Sequence, residues 1–185
     1  MSTLIEQAHS REWFYSFELP DGSSTSTYHD TDIHEIHDTR WQMLASYLDR
    51  HIGMERGALT ALDLASHQGW FAVNMVRAGF GQVLGIDARQ SHVDDATLIS
   101  QIYGMEQLGF QQGDIHDLGS NQLGQFDVVL MLGLLYHLEN PVGALRTCRK
   151  LSRNACLVET QIVPGISGNV DFGSYEFVRP LKGTF

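Results

Sequence analysis

The sequence is 185 residues long and carries 12 Lys and Arg against 22 Asp and Glu, a formal net charge of −10. This balance disfavours nucleic acid as a partner, because the phosphate backbone is bound by clusters of basic side chains. The longest apolar run, 128–136, is too short to cross a bilayer, and the N-terminus lacks the apolar segment of a secretory signal. Two cysteines cannot build a disulfide scaffold. We therefore predict a soluble, cytoplasmic domain with no membrane partner.

The first 57 residues are polar and rich in His and Asp. His34 and His37 are spaced to share one face of a helix, with His29 and Asp30 nearby in the sequence, so a metal site is one interpretation. The favoured interpretation is a solvated loop that leads into a helix around Trp41, with no metal bound.

Short apolar runs alternate with helical stretches between residues 58 and 161. The predicted strands are 59–65, 82–87, 110–112, 126–132 and 155–160. The predicted helices are 70–79, 91–103 with Ser91 as its N-cap, and 141–151 with Pro141 in its first turn. This alternation predicts an α/β, Rossmann-like fold, which is an open and mainly parallel sheet with helices on both faces.

The residues at the carboxyl ends of the strands indicate the ligand, because open parallel sheets bind ligands there. A turn of small residues after the first strand ends at Gly69 and leads into a helix N-terminus, which favours an anionic group such as a carboxylate. Asp87 ends the second strand, where it would accept both hydroxyls of a ribose. Asp114 ends the third and would accept from an adenine amino group, with Ile115 beside the ring. Together these strand ends predict a ligand that contains adenosine.

A nicotinamide dinucleotide is the competing ligand, and its binding loop needs three glycines to let a pyrophosphate approach. Here Ala65 and His67 occupy two of those positions, and only Gly69 remains. Both positions tolerate a non-glycine residue if the backbone stays at negative φ. A ligand without a pyrophosphate is therefore the better fit.

Four segments resemble, in order and spacing, the motifs of class I S-adenosylmethionine-dependent methyltransferases: LDLASHQGWF, VLGIDAR, GDIHDL and FDVVLMLGLLYHLENP. The resemblance covers roughly residues 58–161. The last segment is the most specific, and it is similar to the subgroup that includes the bacterial enzyme modifying the wobble uridine of tRNA. That enzyme uses a carboxylated form of the cofactor, so the subgroup leaves open whether the transferred group is a methyl or a modified methyl.

The resemblance implies S-adenosylmethionine as the cofactor. The residues that would contact it are Asp63, Ala65, Ser66, Gly69, Asp87, Ala88, Asp114, Ile115, Leu132 and Gly133. Among them, Asp63 would stabilise the loop and reach the cofactor amino group directly or through water. The loop from Ala65 to Gly69 would line the methionine end, with Leu132 and Gly133 beside it. Asp87 would hold the ribose.

Methyl transfer from a sulfonium is an in-line displacement, so positioning the two reactants supplies much of the catalysis. The predicted catalytic residues follow the fourth strand: His137 as a base or acceptor orienter, and Tyr136 as a residue that meets substrate or cofactor. A packed histidine is the alternative for His137. The predicted acceptor is a small molecule, glycan-like compound or secondary metabolite, methylated at oxygen. A non-catalytic nucleoside-binding or scaffold domain and a tRNA-modifying relative remain alternatives.

The resemblance also divides the single domain into a lid or cap at 1–57, a cofactor-binding core at 58–161 and a tail at 162–185. The tail is too short for the helix and final antiparallel hairpin that the family fold normally adds. We therefore expect the sheet to lack its C-terminal strands, as in a truncated chain. The free edge of the last strand would then be covered by the tail or by a partner chain, as in a homodimer.

Overall fold

Five parallel strands form the central sheet of the computed structural model, which describes residues 2–29, 32–118, 123–161, 168–171 and 176–179. The strands are β1 Thr60–Leu64, β2 Gln82–Asp87, β3 Leu108–Gln112, β4 Phe126–Leu132, β5 Ser152–Glu159, β6 Gly168–Asp171 and β7 Glu176–Arg179. The helices are α1 Ser2–His9, α2 Asp32–His51, α3 Trp70–Arg77, α4 Gln90–Tyr103 and α5 Pro141–Leu151, with a short 3-10 helix at Leu135–His137. No helix in this described part of the chain is long and apolar enough to cross a membrane.

The strands of the central sheet lie in the order β3-β2-β1-β4-β5, and every neighbouring pair is parallel. The chain runs outward from β1 to β3 and then returns to the other side of β1 to form β4 and β5. The switch point, where such sheets bind ligands, lies between β1 and β4. Asp63 is at this centre, in register with Gly85 of β2 and Leu130 of β4. The predicted α/β, Rossmann-like fold is confirmed.

Alternate residues of β4 pack into two hydrophobic clusters, one on each face of the sheet. Val128 and Leu130 lie in the cluster that includes side chains of α3 and α4. Val129 and Met131 lie in the cluster that includes side chains of α5. Burial on both faces explains why this strand is apolar almost throughout, as expected of a parallel strand in the middle of a sheet.

The segment between α1 and α2 folds back on itself around a turn at 19–23 and packs on the core. Isolated bridges join Trp13 to Thr27 and Glu18 to Ser24. The Trp13 side chain is fully buried, and the Tyr103 hydroxyl of α4 donates to the Glu18 carbonyl at 2.7 Å. The sequence pattern did not predict this ordered packing, because the segment carries neither a helical nor a strand period.

The predicted N-cap of α4 is wrong. The helix begins at Gln90, so Ser91 lies inside it, and Arg89 is the N-cap residue without a side-chain capping bond. The Arg89 amide donates instead to the Asp87 carboxylate at 3.0 Å. The Asp87 carboxylate therefore accepts a backbone hydrogen bond at the start of this helix, as the Ser91 hydroxyl was expected to do. The helix predicted at Pro141, by contrast, begins there.

Strands β6 and β7 pair with each other in an antiparallel, two-stranded sheet of their own. Within the described ranges no strand pairs with the outer edge of β5. The Gly and Pro spacing of the tail did not predict the two short strands. The tail aromatics Phe172, Tyr175 and Phe185 lie outside the described residues.

Candidate functional site

The loop after β1 turns through two non-glycine residues in the left-handed backbone region. Ala65 has a φ of 57° and His67 a φ of 51°, so the backbone does not stay at the negative φ at which non-glycine residues are readily tolerated. This conformation costs an L-residue about 1–2 kcal/mol. It is held by backbone hydrogen bonds, from the Ser66 amide to Ile86 at 2.9 Å and from the Gly69 amide to Ser66 at 2.8 Å. The loop thus keeps the tight turn of a glycine-rich loop with only one glycine.

The buried Gln68 side chain ties the N-terminal segment to this loop. Its carbonyl oxygen accepts from the Phe14 amide at 2.7 Å, and its amide group donates to the Glu12 carbonyl at 3.1 Å. It also donates to Asp95 at 2.9 Å, and Asp95 pairs with Arg11 at 2.6 Å. These contacts were not predicted from the sequence, because Gln68 has the pattern of an ordinary polar turn residue and its partners are distant in sequence. The position of the segment is compatible with the predicted lid, which stays a prediction.

At Gly69 of this loop an added side chain would overlap with the neighbouring core. A Cβ atom there would lie 2.5 Å from the Phe110 ring, at a φ of +83°. Gly22 has nearly the same φ, +84°, but open space around it. We expect Gly69→Ala to lower the free energy of unfolding by about 2–4 kcal/mol, against about 1 kcal/mol for Gly22→Ala, because only the first adds overpacking to backbone strain. Urea unfolding of both variants measures the difference, and equal losses would contradict it.

The Asp87 carboxylate is buried at the end of β2 and receives hydrogen bonds from two directions. Oδ2 accepts from the His67 amide at 2.9 Å and Oδ1 from the Arg89 amide at 3.0 Å. Nδ1 of His92 lies 3.4 Å from Oδ1. Burial alone would raise the pKa of this carboxyl, but hydrogen bonds from His92, Arg89 and His67 outweigh it and lower the pKa to about 2. Asp87 is therefore ionised at neutral pH and keeps free lone pairs for a diol.

The His67 ring stacks on the His92 ring with 3.7 Å between centroids. Burial, followed by the charges of His92 and Arg89, lowers the pKa of His67 to about 3, so the ring is neutral at physiological pH. A packed, neutral ring is consistent with the predicted loop-shaping role.

The alternative interpretation of the N-terminal histidines as a metal site gains no support from the described residues. Burial lowers the pKa of His37 to about 4, and its ring packs against Tyr15 with 4.6 Å between centroids. Nε2 of His34 lies 3.2 Å from the Thr27 hydroxyl. Among the residues that the structure describes, which leave out Asp30, no group of three or more His, Cys, Asp or Glu is arranged to hold an ion.

A narrow cavity of about 100 Å³ opens at the carboxyl ends of β1, β2 and β3. Its lining includes four of the predicted cofactor residues: Ala65, Ala88, Asp114 and Ile115. Leu134 and Leu138 close it from the segment after β4. Oδ1 of Asp114 accepts from the His116 amide at 2.9 Å. An apolar slot with one carboxylate at its edge suits a flat base such as adenine.

Asp63 lies at the centre of the sheet and is 2% exposed. Its Oδ2 atom has no hydrogen-bond partner in the described part of the chain. Burial raises the pKa of Asp63 to about 7, although a hydrogen bond from the Ala72 amide and the charge of Arg40 both lower it. A buried carboxylate with one oxygen left without a hydrogen bond is destabilising. The position is therefore one that a cationic ligand group would stabilise.

Three polar side chains converge on Gly133, the first residue after β4. A Cβ atom added to Gly133 would lie 3.5 Å from Nη2 of Arg40, 3.6 Å from the Tyr136 hydroxyl and 3.9 Å from Oε2 of Glu159. Arg40 and Glu159 form an ion pair at 2.7 Å. Sequence reasoning missed both residues of this pair, since Arg40 lies in the unassigned N-terminal region. The one available signal was that Glu159 ends the fifth strand, where ligand-binding side chains are expected.

The two predicted catalytic residues lie side by side in the 3-10 helix after β4. The rings of Tyr136 and His137 are 4.2 Å apart, and both side chains are exposed. The Tyr136 hydroxyl lies near Gly133, as do the side chains of Arg40 and Glu159. His137 is at the surface, so the alternative of a packed histidine is wrong.

A groove of about 600 Å³ runs between α2 and β5. Arg40, Glu159 and Leu132 lie where it meets the carboxyl ends of the strands. The rest of its lining is mostly apolar: Met43, Leu44, Tyr47, Cys156, Leu157, Val158 and Thr160. The size is in the range of small-molecule pockets.

Comparison with known proteins identifies the family. Residues 55–163, more than half of the chain, match the family described as "Methyltransferase domain". The chain belongs to the class I S-adenosylmethionine-dependent methyltransferase family. This methyltransferase domain is 30% identical over 133 residues to the tRNA U34 carboxymethyltransferase of Idiomarina loihiensis. The aligned region covers 69% of this chain and 39% of that protein.

Further relatives of this methyltransferase differ in their named acceptors. A ubiquinone biosynthesis O-methyltransferase of Acinetobacter baylyi is 27% identical over 119 residues, 64% of this chain and 48% of that protein. The chain thus spans about half or less of the length of these curated relatives. The magnesium protoporphyrin IX methyltransferase of Synechocystis PCC 6803, solved with bound SAH, superposes with a TM-score of 0.59 at 21% identity, over 69% of this chain and 57% of that one. At this identity the likeness shows the shared fold.

Proposed function

We propose that this chain transfers a methyl group from S-adenosylmethionine to a hydroxyl oxygen of a small-molecule acceptor. The observation that carries the proposal is the convergence of Arg40, Tyr136 and Glu159 on Gly133, between the buried Asp63 and the α2–β5 groove. The polar side chains around Gly133 and the unpartnered Oδ2 of Asp63 suit the amino-acid end of the cofactor. The groove beside them would take the acceptor.

The residues that would hold the cofactor follow the strand ends. Ala65, Ala88, Asp114 and Ile115 would enclose the adenine in the narrow cavity, and the ionised Asp87 would accept from the ribose hydroxyls. Ser66, Gly69, Leu132 and Gly133 would line the methionine end, with Asp63 facing its ammonium group. When bound, S-adenosylmethionine supplies an electrophilic methyl group on its sulfonium.

The chain's own part in catalysis is to position the acceptor and remove its proton. Tyr136 would orient the acceptor hydroxyl, and His137 would take the proton as the oxygen–methyl bond forms and the sulfur–methyl bond breaks. Orientation at near-attack distance contributes about 7–11 kcal/mol in well-positioned reactions. A base adds about 10²–10⁴-fold for a hydroxyl that must lose its proton.

Radiolabelled S-adenosylmethionine tests the acceptor class directly. The purified chain is incubated with phenols, glycosides and bulk tRNA in parallel. We expect label in a hydroxyl-bearing small molecule and none in tRNA, because the chain has a net charge of −10 and a largely apolar groove. Label in tRNA would contradict the proposal and favour a relative of the tRNA-modifying enzymes. Tight binding without turnover on any acceptor would favour the non-catalytic, nucleoside-binding alternative.

His137→Gln and Tyr136→Phe test the assigned roles once an acceptor is found. We expect His137→Gln to lower kcat by about 100-fold or more, with recovery at high pH as the acceptor ionises unaided. Tyr136→Phe should lower kcat by about 10-fold through lost orientation. His51→Gln, an exposed histidine of α2, is the control. An unchanged kcat in His137→Gln would remove it from the mechanism.

A further inference from the structure

A cavity of about 420 Å³ lies between α2 and the segment that joins α1 to α2. Its volume is in the range of small-molecule pockets. It shares no lining residue with the narrow cavity at the strand ends or with the α2–β5 groove. It is therefore separate from both sites described above, and we call it the N-terminal cavity.

Contacts within the chain hold the walls of the N-terminal cavity in place. The Glu18 carbonyl accepts from the Tyr103 hydroxyl at 2.7 Å, and an isolated bridge joins Glu18 to Ser24. The rings of Tyr15 and Trp70 stack with 5.8 Å between centroids and 13° between planes. All four residues other than Tyr103 line the cavity. Such preformed walls reduce the ordering cost of binding a ligand.

His37 is a buried lining residue with a hydrogen-bond donor that is not used. The residue is 4% exposed, and burial lowers its pKa to about 4, so the ring is neutral at physiological pH. Nδ1 lies 3.4 Å from Nη1 of Arg40. A guanidinium can only donate, so Nδ1 accepts and the ring proton is on Nε2. Nε2 has no partner among the described residues, which leaves a donor that an acceptor in the cavity would satisfy.

The other polar groups of the cavity decide the class of ligand. Glu18 and Asp38 contribute carboxylates, and neither Lys nor Arg is found among the described residues that line it, so an anion is disfavoured. An ammonium group could donate to the carboxylates but has no lone pair for Nε2 of His37. A hydroxyl group both donates and accepts, so it matches both kinds of partner. Tyr15 and Trp70 add apolar surface for the carbon atoms of a ring.

We propose that the N-terminal cavity binds a neutral ring compound with several hydroxyl groups, such as a monosaccharide. Its hydroxyls donate to the carboxylates of Glu18 and Asp38, and one hydroxyl oxygen accepts from Nε2 of His37. Its carbon atoms pack on Trp70. This binding site goes beyond the proposed methyl transfer and does not depend on it, because the cavity and the α2–β5 groove use different residues of α2.

NMR titration of the indole N–H signals locates the ligand without any cofactor. The chain has three tryptophans, and the signal of Trp70 is the one absent from Trp70→Phe. The probes are D-glucose, D-galactose and myo-inositol, with tetramethylammonium and acetate as charged comparisons. We expect at least one of the three polyols to shift the Trp70 signal in a saturable way, with a dissociation constant of about 10 mM or lower.

Two outcomes of this titration would overturn the proposal. One is that a folded chain shows no saturable shift of the Trp70 signal with any of the three polyols up to about 100 mM. The other is that tetramethylammonium or acetate binds at Trp70 more tightly than every polyol, since the cavity would then select a charge. Cofactor binding is not part of the experiment, so failure of the proposed methyl transfer would leave its result unchanged.

Substitutions test the assigned contacts with the polyol that binds. Glu18→Gln should weaken binding by about fivefold or more, because it removes one charged acceptor. Glu35→Gln is the matched control, since this exposed glutamate of α2 does not line the cavity. His37→Phe keeps a ring without the donor and should weaken binding by about 10-fold or more. Asp38→Asn, at an exposed position, gives a second test that does not disturb the core. Equal affinities of Glu18→Gln, Asp38→Asn and Glu35→Gln would overturn the proposal.

Discussion

Asp87→Ala is expected to weaken the binding of S-adenosylhomocysteine and of 5′-methylthioadenosine by the same factor, about 100-fold or more. Both probes carry the ribose, and two hydrogen bonds to an ionised carboxylate contribute about 1.5–3 kcal/mol each. This pattern differs from that of changes at the amino-acid end, which should affect S-adenosylhomocysteine alone. Calorimetric titration measures both constants. Asp94→Asn, which changes an exposed carboxylate of α4, is the control.

Asp87→Ala should also lower the free energy of unfolding, and the size of this loss should depend on pH. Asp87 accepts from the His67 and Arg89 amides, and its folded-state pKa of about 2 lies below the unfolded value of 3.8. Its contribution is therefore fully present above about pH 4 and is lost as the pH falls towards 2. The gap in unfolding free energy between wild type and Asp87→Ala should shrink over that range. A loss of stability with full binding of both probes would remove Asp87 from the ribose site.

Asp63→Asn is expected to raise the stability of the chain and to weaken cofactor binding. Burial raises the pKa of Asp63 to about 7, against 3.8 unfolded. Between these values the folded chain holds a proton that the unfolded chain has released, so wild-type stability falls as the pH rises from about 4 to about 7. Asparagine does not titrate and can still accept from the Ala72 amide. The variant should therefore gain about 2–4 kcal/mol at pH 8 and nothing below pH 4.

The accompanying loss of binding tests the role of Asp63. In Asp63→Asn the ligand ammonium group no longer faces a negative charge. The binding of S-adenosylhomocysteine should therefore weaken by about 10- to 100-fold, and the binding of methylthioadenosine should not change. Urea unfolding at pH 4 and pH 8 and parallel titrations measure both effects. Asp127→Asn is a matched control, because that carboxylate has a lowered pKa and pairs with Arg153 away from the strand carboxyl ends. Lower stability of Asp63→Asn at pH 8 would contradict the account.

The fold and the nucleoside end of the site could be predicted from the sequence because local patterns encode them. β2 and β4 were predicted with their observed bounds, since buried parallel strands read as continuous apolar runs. Asp87, Asp114 and Ile115 follow strand ends, and the topology of a parallel sheet brings strand ends together. The cavity at Ala65 and Ala88 lies where these positions indicated.

The contact between Arg40 and Glu159 could not be predicted in the same way, because the two residues are distant in sequence. Arg40 and Glu159 are 119 positions apart and meet only because α2 packs over the ends of β4 and β5. The left-handed backbone of Ala65 was missed for a related reason: alanine has no local preference for it, and the surrounding hydrogen bonds impose it. Tertiary contacts decided both features.

Calorimetric titration of the unaltered chain with S-adenosylhomocysteine, 5′-methylthioadenosine and NADH tests the central claim most directly. We expect micromolar binding of S-adenosylhomocysteine and weaker binding of methylthioadenosine, because Asp63 is then left without a ligand charge. We expect no binding of NADH, because the loop has only one of the three glycines that the dinucleotide-binding loop uses. Binding of NADH, or no binding of either sulfur nucleoside by a folded sample, would contradict the claim.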